Sequence, residues 1–418
     1  MLLSRYRPNK QIIWVLLLLG LHIFLRFYEL EERFSFSWDQ LRDAWMMRDM
    51  LLDGNLPLLG PVAKANAFNV GAAYYYLLLP FYFVMKLDPL GAGLFAGVIS
   101  IMTLLVLFYV SLKVFNYGTA LVSTFIYAIS FHVISFDRVA WNVDLIPLVS
   151  LVVFYSLYRI REDRLFYILV MAGAVGFAFH VHFTAVFYPI IILLSLPFLR
   201  LGRKSVKYIL WSLPIFIVWF IPYLISGLTT PDNQANRVYY YINTYYHGLH
   251  LRRVIQLAGD AFIEFAALMS FKYADLVKYF LLPLFSILYL SKKLNQERLF
   301  VVYLFVLWFI VPWLVFSVYS GEITQYYFAS TGPMAVMVLA YLVSWMLKMK
   351  KPILTIFVLC LVLYYAYVNL DRFFHVSPSN FMETKKRAMH LVNGRKIVKF
   401  VDRDDPVGYF YDLYWERL

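Results

Sequence analysis

Charge and cysteine are what this sequence has little of. Of its 418 residues only 15% are Asp, Glu, Lys or Arg, well under the ~25% of a soluble domain. That scarcity excludes a soluble globular enzyme, a disordered chain and a nucleic-acid-binding domain. The single cysteine, Cys360, sits in an apolar run, which excludes a disulfide framework and a Cys-based metal site. No internal repeat or low-complexity segment is present, which weighs against a transporter built from inverted repeats. What is abundant is apolar: 62% of residues are hydrophobic and 20% aromatic, with a mean hydropathy of +0.67. Apolar runs of about 17–25 residues recur throughout, the mark of an all-α polytopic membrane protein. The net charge of +13 then reads as loops facing anionic lipid rather than as a nucleic-acid surface.

Eleven spans are expected, near 11–28, 92–112, 118–134, 145–158, 165–180, 184–199, 208–226, 277–291, 299–318, 327–347 and 352–368. Residues 74–87 are apolar but short, and their behaviour sets the topology. If they do not span, the N-terminus and the loops near Lys113, Arg159, Arg200, Lys292 and Lys348 share one side. That side then holds 17 basic residues, whereas the short loops opposite hold only Arg138. The positive-inside rule selects this arrangement. The N-terminus is expected in the cytoplasm and the C-terminus outside, with two long outer segments at 29–91 and 227–276. Residues 1–368 form the membrane domain in this reading, and 369–418 a small strand-containing cap or a mobile tail.

In the first outer segment Ser37-Trp38-Asp39-Gln40 has the form of a capping box. It predicts a helix over about 38–52, ended by Gly54 and Pro57. Trp38, Leu41, Trp45 and Leu52 would form its apolar face, with Asp39, Arg42, Asp43 and Asp49 turned away. Asp39 falls in the first turn, where exposed N–H groups favour a carboxylate. It is either a proton acceptor or part of the cap. Lys64 is the only cation between Arg48 and Lys86; it suits an anionic headgroup such as phosphate, or is solvated.

Polar residues recur at the other outer ends. Asp137, Arg138, Asn142 and Asp144 stand together between two spans. They form either an Asp137–Arg138 pair with a capping Asp144, or part of the same cavity as Asp39. His180 and His182 could hold a divalent metal with Asp39 or Asp144, but an H-x-H pair is a weak signal and no metal is required. The second long segment carries Tyr239, Tyr240, Tyr241, Tyr245 and Tyr246 with Arg237, His247 and His250, suited to sugar stacking or to an interfacial belt. Glu322, Gln325 and Tyr326 open a late span; they can bind a polar substrate or tie loops together.

The runs "FSWDQLRDAWMMRDMLLDGNLP", "AKANAFNVGAAYYYLLLP", "SFDRVAWNVDLIP" and "EITQYYFASTGPMAVMVLAYL", in this order and topology, resemble the GT-C glycosyltransferases. The branch they look closest to contains the protein O-mannosyltransferases, the aminoarabinose transferases of lipid A and the RgtA/B/C/D-like enzymes. The resemblance implies a GT-C fold and a polyprenyl-phosphate-linked sugar donor. It also implies transfer at the outer face to a lipid, glycan or protein acceptor, with no cofactor. The family's outer-loop acid, its presumed general base, matches Asp39; its phosphate-binding basic residue matches Lys64; its supporting acid matches Asp144. Relatives often carry a Lys where this chain has His182-Phe183-Thr184. Arg42, Arg138, His182, Arg237, Gln325 and Tyr326 complete the expected donor and substrate contacts. Two other readings compete: an O-antigen-ligase-like or polymerase-like enzyme using the late outer loop, and a lipid-linked sugar flippase or transporter.

Overall fold

A computed structural model of the chain describes residues 10–63, 68–229, 234–246, 248, 251–260, 263–269, 296–394 and 403–415. Helix α1 (Lys10–Phe27) leads into α2 (Trp38–Leu52). A short antiparallel hairpin, β1 (Leu59–Val62) and β2 (Asn69–Gly71), then joins α3 (Ala73–Val84), α4 (Leu90–Val114) and α5 (Tyr117–Ile129). After α5 the chain bends by 65° at Ser130 into α6 (Phe131–Asp137). A single turn, Asn142–Leu145, starts α7 (Ile146–Arg161).

Six described helices are long and apolar enough to cross a membrane, or seven with the bent α5–α6 pair counted as one span. Ten of the eleven expected spans coincide with described helices; the eighth, 277–291, lies outside the described residues. Helix α3 has 12 residues and is therefore about 18 Å long at 1.5 Å per residue, short of the ~30 Å hydrocarbon core.

The bend in α5–α6 is held by buried polar groups. Arg26, 1% exposed, donates to the carbonyls of Tyr127 and Ala128, which the break leaves without helical partners. It also pairs with Asp137 at 2.7 Å, and Ser100 Oγ donates to the same carboxylate at 2.6 Å. Asp137 thus pairs with Arg26 and not with Arg138, contrary to the sequence-based pairing. Arg138 instead donates to the carbonyls of Leu25, Arg26, Tyr28 and Glu29 at the end of α1.

Among its described residues, the C-terminal segment is a small cap of helices rather than strands. Helices Phe381–Asn393 and Pro406–Trp415 pack on each other and on α2. Phe381 and Phe410 join Phe34 and Phe36 in one aromatic cluster. Arg403 pairs with Asp49 at 2.6 Å, Trp45 Nε1 donates to the Arg403 carbonyl, and Lys385 bridges Glu31 and Asp88 at 2.6 and 2.7 Å. The apparent strand pattern in YFYDLYW is helical because Tyr409, Phe410 and Leu413 are all buried in this packing. The IVKFV stretch lies outside the described residues.

Candidate functional site at the start of helix α2

Helix α2 starts at the expected residue. Gln40 Oε1 accepts from the Ser37 N–H at 3.1 Å and from Ser37 Oγ at 2.7 Å. Gln40 Nε2 reaches across to the Val139 carbonyl at 2.8 Å. One side chain therefore both closes the cap and ties the α2 N-terminus to the loop that carries Asp144.

The face that α2 buries is the expected one only in its middle, where Leu41 and Trp45 are buried. Trp38 and Leu52 are 64% and 53% exposed, whereas Asp43 is fully buried beside Ala44 and Met47. A buried carboxylate needs a partner, and Arg42 supplies it: Nε donates to Asp43 Oδ1 at 2.9 Å and Nη2 lies 2.7 Å from the same oxygen. Tyr74 OH donates to Asp43 Oδ2 at 3.0 Å. Burial pushes the Asp43 carboxyl up, while Arg42 and Tyr74 pull it back. Burial works against the Arg42 charge, but Asp43, Tyr75 and Asp39 together hold the guanidinium well above its ordinary value.

The other edge of Arg42 meets Asp39, through Nη1 to Oδ1 at 2.6 Å. The Asp39 side chain is 39% exposed, so its second oxygen is reachable. The arrangement is a graded pair: one buried carboxylate anchors the arginine, and the arginine holds an accessible carboxylate in the first turn of the helix, where the dipole also favours the anion.

Around it, the loop before α7 presents Asp144, 4% exposed. Its Oδ2 accepts from the Trp141 N–H at 3.1 Å, whereas Oδ1 is buried with no hydrogen-bond partner among the described residues. Tyr326 joins this loop to a third element: its ring lies 4.6 Å from Trp141 and 5.8 Å from His182. His182 Nδ1 caps its own turn at Thr184, and burial lowers its imidazole to about 3. It is neutral at pH 7.

The remaining expected residues are dispersed. Gln325 is exposed and reaches His132 Nδ1 at 3.4 Å; His132 in turn lies 2.9 Å from Glu264. Arg237 stands on the helix Gln234–Tyr245, and Arg138 closes the end of α1. Lys64, His247 and His250 lie outside the described residues. Sequence reasoning missed Asp43 as a partner of Arg42 and Tyr74 as the donor to Asp43. The i, i+3 spacing of Asp39 and Arg42 was a visible signal; an adjacent residue and a donor 31 positions away leave none.

Beside the hairpin lies a large apolar chamber of about 940 Å³. Its walls include Phe68, Phe183, Phe220, Leu224, Tyr241 and Val315, and its polar rim is Asn69 with Gln234. Asn69 N–H donates to Gln234 Oε1 at 3.0 Å. The hairpin that ends at Asn69–Gly71 therefore spans from the α2–α3 region to the chamber wall. At Gly71 a Cβ would fall 2.1 Å from His180 Nδ1, so only glycine lets the strand lie against that ring.

Among the described residues no three His, Cys, Asp or Glu side chains stand together, and the two closest carboxylates of the site, Asp39 and Asp43, already share the Arg42 cation.

The sequence matches no family model and no curated protein. The fold does match solved structures. ArnT from Cupriavidus metallidurans bound to undecaprenyl phosphate aligns with a TM-score of 0.60 and 13% identity, over 96% of this chain and 75% of that one. The oligosaccharyltransferase AglB from Archaeoglobus fulgidus, in complex with an inhibitory peptide and a dolichol-phosphate, aligns with a TM-score of 0.63 and 11% identity. That match covers 99% of this chain and 60% of AglB. The Archaeoglobus fulgidus oligosaccharyltransferase in complex with Zn and sulfate aligns at 0.57 and 12%, over 96% of this chain and 56% of that one. Identity this low speaks for architecture alone, and the architecture is that of the membrane glycosyltransferases ArnT and AglB: this chain has the GT-C fold.

Proposed function

We propose that this chain is an integral membrane glycosyltransferase that moves a sugar from a polyprenyl-phosphate donor to an acceptor hydroxyl on the outer face. The observation that carries the reading is the accessible Asp39 carboxylate, held by Arg42 at the start of α2 within a GT-C fold. A hydroxyl is a poor nucleophile and gains from a positioned base. In this reaction the acceptor oxygen attacks the anomeric carbon, its proton passes to Asp39, and the bond from that carbon to the phosphate oxygen breaks. Attack opposite the leaving group inverts the anomeric centre. The polyprenyl phosphate departs with the bonding electron pair.

The leaving phosphate gains negative charge, which a cation stabilises. Lys64 carries that role in the proposal, with Arg42 beside it once protonation of Asp39 weakens their pairing. The apolar chamber by Phe68 and Leu224 suits the prenyl chain. Asp144, with one buried oxygen unpartnered among the described residues, and Tyr326 suit the sugar hydroxyls. ArnT and AglB have been solved with undecaprenyl phosphate and with dolichol-phosphate, lipids of the class proposed here as the leaving group.

The test is direct. Lys64→Ala should weaken binding of a polyprenyl-phosphate sugar by very roughly 10–100-fold, the worth of a charge-assisted contact, and Lys64→Arg should keep part of it. Asp39→Asn should bind the donor and lose about 10²–10⁴ in transfer rate. If Asp39→Asn turns over normally while Arg237→Ala is dead, the late outer loop carries the chemistry and the ligase-like reading replaces this one.

A further inference from the structure

One wall of the apolar chamber is the span Arg203–Thr229, whose helix breaks at a single turn, Val218–Phe220, between Pro214 and Pro222. Beyond the break, Tyr223 and Leu224 line the chamber. Little packing holds this wall: of its residues only Ser205 and Ser226 are buried. Another part of the lining is the hairpin residues Phe68, Asn69 and Val70. The width of the chamber between them depends on what joins the break to the hairpin.

Two consecutive residues do so. The Phe179 carbonyl accepts from the Gly71 N–H at 3.3 Å and from Tyr223 OH at 3.0 Å. The His180 ring accepts at Nδ1 from the Ala73 N–H at 3.3 Å, and its Nε2–H donates to the Trp219 carbonyl. Each residue thus takes one bond from the end of the hairpin and one from the break. The two His180 bonds define one form of the ring, neutral with its proton on Nε2. Nδ1 needs a lone pair for the Ala73 donor, and Nε2 needs a hydrogen for the carbonyl. Pro222, three residues after Trp219, has no N–H with which to close a tight turn on that carbonyl. At Gly176 a Cβ would stand 2.2 Å from Trp219 Cδ1, so only glycine there lets the indole lie on the helix Tyr167–Ala178.

We infer that His180 is a positioning residue for the donor lipid: a two-ended tie that fixes the Asn69–Gln234 rim relative to the wall beyond the break, and so sets the width of the chamber. The inference rests on the reading above that this chamber takes the prenyl chain. A ring that only filled space would need neither bond. A tie needs both, and cutting either end costs as much donor affinity as cutting the two together.

Three variants of the full chain in detergent separate the two ends. His180→Gln keeps a donor that reaches the Trp219 carbonyl and gives up the acceptor for Ala73. His180→Asn keeps an acceptor near Ala73 and gives up the reach to Trp219. His180→Ala gives up both. Binding of undecaprenyl phosphate should weaken by about 2–10-fold in all three alike, the worth of one neutral hydrogen bond. Hydrogen exchange should rise at residues 69–75 in the Gln variant, at 216–224 in the Asn variant and at both in the Ala variant, with the rest of the chain unchanged. Should the Ala variant fail to fold, the Gln and Asn variants carry the test. Wild-type affinity in either of those two, or exchange that rises evenly over the whole chain, overturns the inference. Failure of the wild-type chain to bind undecaprenyl phosphate would instead sink the proposed donor, and the exchange pattern would then decide the tie alone.

Discussion

Arg42 donates to Asp39 across 2.6 Å, and it can do so from a fixed position because its other edge is locked on the buried Asp43. The accessible carboxylate is thus held by a cation that has little freedom to leave. This pairing keeps Asp39 aimed, and the expected consequences of disturbing it are separable.

Replacing Asp39 with Asn retains its size and removes its ability to take a proton. Loss of a general base costs about 10²–10⁴ in rate. The protein should insert and unfold normally, since Asp39 is partly exposed and Asp43 still holds Arg42. Transfer measured in vesicles with a polyprenyl-phosphate sugar should fall by that factor.

Asp43→Asn should act through structure instead. It leaves Arg42 half-buried with one partner fewer, at a cost of roughly 1–3 kcal/mol for a charged hydrogen bond lost at a mostly buried site. Thermal unfolding should show the loss, and activity should fall with it because Asp39 is no longer aimed. Tyr74→Phe removes only the hydroxyl donor and should cost about 0.5–1.5 kcal/mol. Equal stability of Asp43→Asn and wild type would mean that Asp43 does not anchor Arg42.

Gly71→Ala places a methyl group into the His180 ring, which is fixed on both sides by the Ala73 N–H and the Trp219 carbonyl. The strand or the ring must move, a strain of about 1–3 kcal/mol. Donor binding should weaken as the Asn69–Gln234 rim shifts, while a soluble probe of the Asp39 carboxylate, such as carbodiimide labelling, should be unchanged. Normal donor affinity in this variant would detach the hairpin from the donor site.

The cap contains a pH-sensitive tie. Burial acts to lower the Lys385 ammonium pKa, but Asp88 and Glu31 outweigh it and raise the pKa above its ordinary 10.5. A raised lysine contributes stability in full below its unfolded pKa and loses it as pH rises through the folded value. Proteolysis of the C-terminal helices should therefore be slow at pH 8 and accelerate above about 10.5. In Lys385→Met the acceleration should be present already at pH 8. The same rate in both proteins at both pH values would rule the bridge out as a clamp.

The membrane helices were legible because long apolar runs have few alternatives, and α2 because its capping box names its first residue. The burial of Asp43 on it was not, since an amphipathic reading turns every charge outward. Asp43 is buried only because Arg42 and Tyr74 neutralise and satisfy it, and Tyr74 is 31 positions away. Arg138 was misread for a related reason: its partners are backbone carbonyls over 100 positions earlier, which no side-chain pattern displays. Asp39, Asp144, His182 and Tyr326 were each visible as polar residues at the ends of apolar runs. The ties between their segments, Gln40 to Val139 and Tyr326 to Trp141 and His182, were not.

The ties between the chain's two ends also set an order in time. Arg403 closes on Asp49 and Lys385 on Glu31 across 354 positions each. At ~5–20 residues per second of synthesis, the segment bearing Asp39 waits roughly 20–70 s for those partners to be made. Until then Phe34, Phe36 and Trp45 lack the aromatic cover they have in the finished protein. During that interval the nascent segment around α2 is an exposed apolar surface. A ribosome stalled after residue 374 would release a chain with its membrane helices made and α2 unclamped, a form that proteases would meet first.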